Sequence, residues 1–209
     1  MKIQNEFSAI VRSRAATRTS RAAIVGLALI AIAGLSLGRP EEALASDVTR
    51  PNVVFIFADD QGYGDLGCFG ASDLKTPNMD RLAREGTRFT SFYVAQPVCT
   101  ASRAALLSGC YSNRVGMAGA LNHTSTVGLN PQETLLSEMC QAQGYATAIF
   151  GKWHLGHESP FLPTRQGFDE FFGIPYSNDN GPLHPVIRDI PALPLYENET
   201  IVERDPDQS

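Results

Sequence analysis

The sequence predicts an α/β fold with a mainly parallel sheet sandwiched by helices. Three observations predict it. Strand-length apolar runs alternate with helical patterns, the turns between them are short, and one run is apolar on every residue. The chain has 209 residues, 43% of them hydrophobic and 19% charged, which suits one ordinary domain with a real core.

The first 45 residues read separately from the rest. Arg12, Arg14, Arg18 and Arg21 precede an apolar run, Ala22 to Gly38, and Ala43-Leu44-Ala45 follows it. Basic flank, apolar stretch and small-x-small ending form a secretory signal over residues 1–45, cut after Ala45. A retained anchor is the alternative, since about 17 apolar residues sit at the lower edge of a membrane span. The Ala-x-Ala decides for the signal, so no stable membrane anchor is expected. The arginines are spaced singly, which does not indicate a twin-Arg signal. The expected mature chain, 46–209, is exported: periplasmic or secreted, or lysosomal or extracellular if the host is eukaryotic. It carries eleven basic and nineteen acidic residues, a net charge of −8. That excess makes it a poor nucleic-acid binder, so any anion must be gripped by a local site. Cys68, Cys99, Cys110 and Cys140 are too few for a disulfide framework.

The elements follow in order. Residues 52–58 (NVVFIFA) read as a strand buried on both faces, ending in Asp59-Asp60 and a loop punctuated by glycine. Thr76-Pro77 opens a helix that Gly86 stops. Phe89–Val94 reads as a strand. Thr100–Ser108 reads as a helix with Ala104, Ala105 and Leu107 available for packing. Asn130-Pro131-Gln132-Glu133 resembles a capping box for a helix to Gln143, with Leu135/Met139 and Leu136/Cys140 on one face. Gly144 closes it and Tyr145–Phe150 is the next strand. Residues 157–209 hold eight of the 13 prolines and read mostly as a surface excursion.

Three polar clusters each follow an expected strand, where the carboxyl ends of an open α/β sheet line a crevice. Asp59-Asp60 is costly beside a buried strand unless compensated, and two hard carboxylates suit Ca²⁺, or less well Mg²⁺, better than Zn²⁺. The bland reading is a solvated turn. Cys99 precedes a helix start, where the dipole favours an anion or thiolate, and Arg103 lies one turn on. The bland reading there is a buried cysteine beside a surface arginine. Lys152 and His154 flank Trp153 and would point the same way at a strand end, supplying a point charge and a proton donor or acceptor. Their bland reading is a solvated strand end beside a core tryptophan.

Together these residues resemble a known family. Asp59 through Gly67 (DDQGYGDLG) with Thr76 through Leu82 (TPNMDRL) is similar to the opening of type I sulfatases. Cys99 through Gly109 (CTASRAALLSG) resembles their signature, and Gly151 through Gly156 (GKWHLG) their second motif. Gly167 through Gly173 (GFDEFFG), with Tyr176-Ser177, is similar to the arylsulfatase A and N-acetylgalactosamine-6-sulfatase branch. The resemblance covers residues 51–182, in order. It implies an alkaline-phosphatase-like fold and hydrolysis of sulfate monoesters. It also implies that Cys99 is oxidised during export, by a formylglycine-generating enzyme, to a formylglycine whose hydrate is the nucleophile. Asp59 and Asp60 match metal ligands, usually for Ca²⁺, with the modified Cys99 beside them. Arg103 matches the residue that steadies the hydrate, Lys152 and His154 match groups contacting sulfate and nucleophile, and Ser177 matches a further active-site hydroxyl.

Ala101 stands where the signature usually has proline, and Cys110 where arginine is common. The family's later Asp-Asn metal pair, lysine and histidine have no match here, and Asn178-Asp179-Asn180 reads as a polar turn. The chain thus resembles the N-terminal portion of a sulfatase. Two alternatives stand beside sulfate hydrolysis: a phosphate or phosphonate monoester hydrolase of the same superfamily, and a non-catalytic fragment.

Overall fold

The computed structural model describes residues 9–13, 50–182, 184 and 186–207. The apolar run Ala22–Gly38 and the expected cleavage point after Ala45 lie outside the described residues. No helix among the described residues is long and apolar enough to cross a membrane.

A six-stranded sheet organises the chain, in the order β2-β1-β3-β4-β5-β6. The strands are β1 (Ala9–Ser13), β2 (Val53–Val54), β3 (Tyr145–Lys152), β4 (Glu170–Ile174), β5 (Pro194–Glu197) and β6 (Thr200–Arg204). Three helices accompany them: α1 (Pro77–Glu85), α2 (Cys99–Ser108) and α3 (Leu136–Ala142). The α/β class is as expected, and within it the sheet is mixed. β3 and β4 pair in parallel, from Ala148↔Glu170 to Lys152↔Ile174. β1 runs antiparallel to both β2 and β3, with Ala9 opposite Ile149 and Ser13 opposite Tyr145. β4–β5 and β5–β6 are antiparallel as well.

The helices begin and end where local chemistry directs. Pro77 takes the first position of α1, and Gly86 closes it by donating to the Leu82 carbonyl at 2.9 Å. Thr76 does not cap α1 with its side chain. Its hydroxyl instead accepts the Gly67 N–H at 2.8 Å and donates to Asp80, tying the helix to the glycine loop. α2 stops at Gly109, whose φ of 66° is the left-handed conformation that glycine adopts without strain.

α3 corrects the expected boundary. Asn130–Glu133 is a turn, in which the Asn130 carbonyl accepts from Glu133 N–H and its side chain from Gln132 N–H. The helix starts at Leu136, and Glu138 reaches back to accept the Leu135 N–H at 2.9 Å. Only Leu135 of the four expected face residues is fully buried. Leu136 and Met139 are exposed.

The core lies between α2, α3 and the central strands: Ala104, Leu129, Leu135, Ile149, Trp153, Leu155, Phe168 and Phe171, with Leu107 packed against it. Trp153 is a core residue as read, its indole N–H donating to the Phe161 carbonyl at 2.8 Å.

Three further expectations need correction. The run 52–58 forms only two residues of strand, and Val53, Val54, Phe55 and Ile56 are exposed. Phe89–Val94 forms no strand, and Phe89, Phe92 and Tyr93 are exposed. A strand needs a neighbour to complete its hydrogen bonds; among the described residues β1 pairs only with Val53–Val54 of the first run, and the second run has no strand partner. Conversely, 157–209 is no mere excursion. It supplies β4, β5, β6 and the buried side chains of Leu162, Phe168, Phe171 and Leu193.

Candidate active site

β3 delivers Lys152 at its last residue, and its companion β4 holds the segment that follows. Trp153 N–H donates to the Ile174 carbonyl and His154 N–H to the Pro175 carbonyl, both at 3.0 Å. His154 then turns out of the strand with φ 62°, a left-handed conformation uncommon for a non-glycine residue. The strand therefore ends at Lys152, and a turn, not strand alternation, sets the direction of His154.

Lys152 is 1% exposed, and its ammonium pairs with Asp59 Oδ2. α2 brings Arg103 to the same carboxylate, with Nη2 at 3.9 Å from Asp59 Oδ1. Arg103 Nη1 donates to the Lys152 carbonyl at 2.5 Å, and its guanidinium lies over the Phe57 ring at 5.5 Å. The arginine is 8% exposed, so it is not the surface residue of the bland alternative. Four contacts from three distant stretches thus gather Asp59, Arg103 and Lys152 into one charged cluster. A guanidinium and an ammonium held side by side are the groups that recognise a tetrahedral anion.

Cys99 opens α2 half-buried at this cluster. Burial pushes its thiol above the ordinary value; Lys152 pulls the other way and Asp59 adds to the rise. Burial therefore opposes the thiolate that a helix start favours. Cys68, Cys99, Cys110 and Cys140 are all free thiols.

His154 is 1% exposed, and its Nε2 lies 2.7 Å from the Leu121 carbonyl. A carbonyl only accepts, so Nε2 carries the proton and Nδ1 is the bare acceptor. Nδ1 is buried and, among the described residues, has no hydrogen-bond partner. Burial, seconded by Lys152 and Arg103, lowers the imidazole to about 4, so it is neutral at pH 7.

Asp60 is exposed, with φ 53°. Two adjacent carboxylates fit a hard divalent cation in kind. Among the described residues, no group of three or more His, Cys, Asp or Glu side chains could hold a metal, so they form part of a coordination shell at most. Ser177 is half-buried, two residues after the Pro175 carbonyl that holds His154 and just before a 3-10 turn at Asn178–Asn180, where its carbonyl accepts the Asn180 N–H at 2.9 Å. That segment is the polar turn expected.

Sequence reasoning missed Thr100 and Leu121. The Thr100 hydroxyl donates to the His154 carbonyl at 2.8 Å and accepts the Leu121 N–H at 3.1 Å. Thr100 adjoins Cys99 and could have drawn notice, whereas Leu121 contributes only backbone and leaves no signal in a sequence.

Comparison with known proteins identifies the family. The sulfatase family model matches residues 51–192. Human arylsulfatase A is 49% identical over 171 residues, covering 80% of this chain and 32% of that protein. N-acetylgalactosamine-6-sulfatase of Sus scrofa is 44% identical over 153 residues, covering 66% of this chain and 29% of that protein. A solved Bacteroides thetaiotaomicron sulfatase, from work on the metabolism of multiple glycosaminoglycans, superposes with a TM-score of 0.60 at 36% identity. It covers 70% of this chain and 30% of its own. The chain spans about a third of the length of the curated relatives it matches. With the family model matched over most of its length and its charged cluster assembled from that matched region, this chain belongs to the sulfatase family.

Proposed function

We propose that the chain carries the N-terminal part of a sulfuric ester hydrolase that cleaves sulfate monoesters to an alcohol and inorganic sulfate. The observation that carries this reading is the gathering of Arg103 and Lys152 about Asp59, with Cys99 at the start of the same helix as Arg103. In this reading Cys99 is converted to formylglycine during export, by a formylglycine-generating enzyme, and Asp59 and Asp60 hold a divalent cation, Ca²⁺ in preference to Mg²⁺. The hydrated aldehyde supplies a hydroxyl nucleophile for sulfur, and the cation supplies positive charge at the sulfate oxygens.

The chain's own residues do the rest. A sulfate monoester repels an attacking oxygen until its charge is neutralised, and Arg103 and Lys152 do this from fixed, water-poor positions. Arg103 is held flat by Phe57 and the Lys152 carbonyl, so little reorganisation is needed when the anion arrives. His154 is neutral with Nδ1 open, which suits it to accept a proton from the nucleophile or return one to the leaving alcohol. Ser177 is assigned to the rim of the site as a further hydroxyl. The substrate is an anionic sulfate ester, and the chain is exported, periplasmic or secreted; a cut after Ala45 would remove β1 (Ala9–Ser13), which the sheet holds between β2 and β3.

The test is the mass of the tryptic peptide 89–103 from protein made in its native host. Formylglycine lowers that mass by the difference between a CH₂SH and a CHO group. A thiol in every copy would sink the reading and leave a non-catalytic fragment. Cys99→Ser, which cannot carry the aldehyde, should abolish turnover. Normal multiple-turnover kinetics in that variant would refute the nucleophile assignment.

A further inference from the structure

His154 is anchored more thoroughly than a lone side chain needs to be, and the anchor is a closed ring of hydrogen bonds. Thr100, itself 1% exposed, uses its one hydroxyl twice, donating to the His154 carbonyl at 2.8 Å and accepting from Leu121 N–H at 3.1 Å. Leu121 completes the ring through its own carbonyl, which accepts from His154 Nε2 at 2.7 Å. Both backbone groups of Leu121 are thereby spent, one on Thr100 and one on the imidazole. On the other side, the His154 N–H is held by the Pro175 carbonyl at 3.0 Å.

Each contact removes a freedom. The left-handed backbone of His154 is costly for a non-glycine residue and persists only where its surroundings over-determine it. Here those surroundings are the Thr100 hydroxyl on its C=O and Pro175 on its N–H. A free imidazole exchanges between two tautomers, but one facing a fixed carbonyl keeps its proton on that side. Thr100, by holding the Leu121 N–H, adds to the core packing of Leu121 in fixing that carbonyl.

We propose that Thr100 is a positioning residue for His154. Through Leu121 it holds the imidazole in the Nε2–H tautomer, so that Nδ1 is the acceptor. For the part Nδ1 plays in turnover, this inference rests on the sulfatase reading. The tautomer itself does not.

The experiment is ¹⁵N NMR of the histidine-labelled full chain at neutral pH, comparing wild type with Thr100→Val and Thr100→Ser, the hydrogen exchange of the Leu121 amide being followed in the same samples. Wild type should show a single Nε2–H tautomer for His154. Thr100→Val keeps the shape and loses both hydrogen bonds. It should give a mixture of tautomers, with Leu121 exchange faster by roughly fivefold to tenfold, the factor that one lost hydrogen bond implies. Thr100→Ser should restore both signals.

A wild-type His154 in the Nδ1–H form would overturn the proposal, and that reading requires no variant to fold. So would a Thr100→Val spectrum indistinguishable from wild type. Should Thr100→Val not fold, Thr100→Ala replaces it and is judged by the same two signals. Sulfate-ester turnover by the formylglycine-bearing wild type is assayed separately. Its absence counts against the sulfatase reading, while the tautomer result still decides the role of Thr100.

Discussion

Gly173→Ala is expected to be among the most damaging single-methyl additions to this chain. Gly173 lies opposite Gly151 in the parallel β3–β4 pair. A Cβ built on it would stand 1.8 Å from the Gly151 carbonyl oxygen, 2.7 Å from its carbonyl carbon and 2.9 Å from its nitrogen. All three are backbone atoms of the neighbouring strand, so no side-chain rotamer can relieve the clash. The strands must part instead, by more than an ångström.

Overpacking costs typically about 1–3 kcal/mol, and parting the strands there loosens about two ladder hydrogen bonds at roughly 1 kcal/mol each. The sum, about 3–5 kcal/mol, is a large share of the roughly 5–15 kcal/mol that holds a domain together. For a chain of this size it lowers the melting temperature by about 10 °C. The damage also reaches the site, because Lys152 follows Gly151 directly and pairs in register with Ile174. The assay is a circular-dichroism melt of the full chain, with Gly119→Ala as control, since a Cβ there meets nothing within 4 Å. A Gly173→Ala protein melting within about 2 °C of that control would refute the packing argument.

Three other outcomes follow from the same geometry. His154 has an ordinary value of 6.5 and a folded value of about 4, so between these the unfolded chain binds more protons and stability falls as pH falls; the full loss is about 3 kcal/mol by pH 4. Denaturant unfolding at pH 7 and at pH 4.5 checks it, and a His154→Gln variant with the same slope would assign the loss to other groups. Glu138→Ala removes the reciprocal cap on the Leu135 N–H and should cost about 1 kcal/mol, read as a shifted denaturation midpoint; an unchanged midpoint would show that water replaces the cap. Calcium should bind the full chain only weakly, with a dissociation constant of about 1 mM or above, because two carboxylates leave most of the shell to water. Calorimetry with and without Asp59→Asn tests this, and micromolar binding would mean that further ligands close the site.

Much of the helical structure was legible because its determinants are local. Thr76-Pro77, Gly86 and Gly109 act within a turn of themselves, and α1 and α2 begin and end at or beside them. The error at α3 has the same origin. Asn130-x-x-Glu133 and Leu135-x-x-Glu138 offer similar spacings, and the burial of Leu135 in the core selects the second. Strands were harder. Tyr145–Lys152 became β3, whereas the equally apolar 52–58 yielded two residues, because a strand exists only where another chain segment completes its hydrogen bonds. Phe171 and Leu193 sit among prolines, and nothing local announces that they are buried.

The site divides along the same line. By itself the sequence determined which side chains are present: the paired aspartates, the Cys99–Arg103 turn of helix and the Lys152-Trp153-His154 triplet, all set by covalent order. Tertiary structure alone decided that Asp59 meets Lys152 across 93 positions and that Arg103 is buried against Phe57. It alone raised the Cys99 thiol and left His154 neutral with one nitrogen open. The reason is physical. A residue's chemistry travels with its side chain, but its charge state and direction depend on the dielectric and the partners around it, and those arrive from elsewhere in the chain.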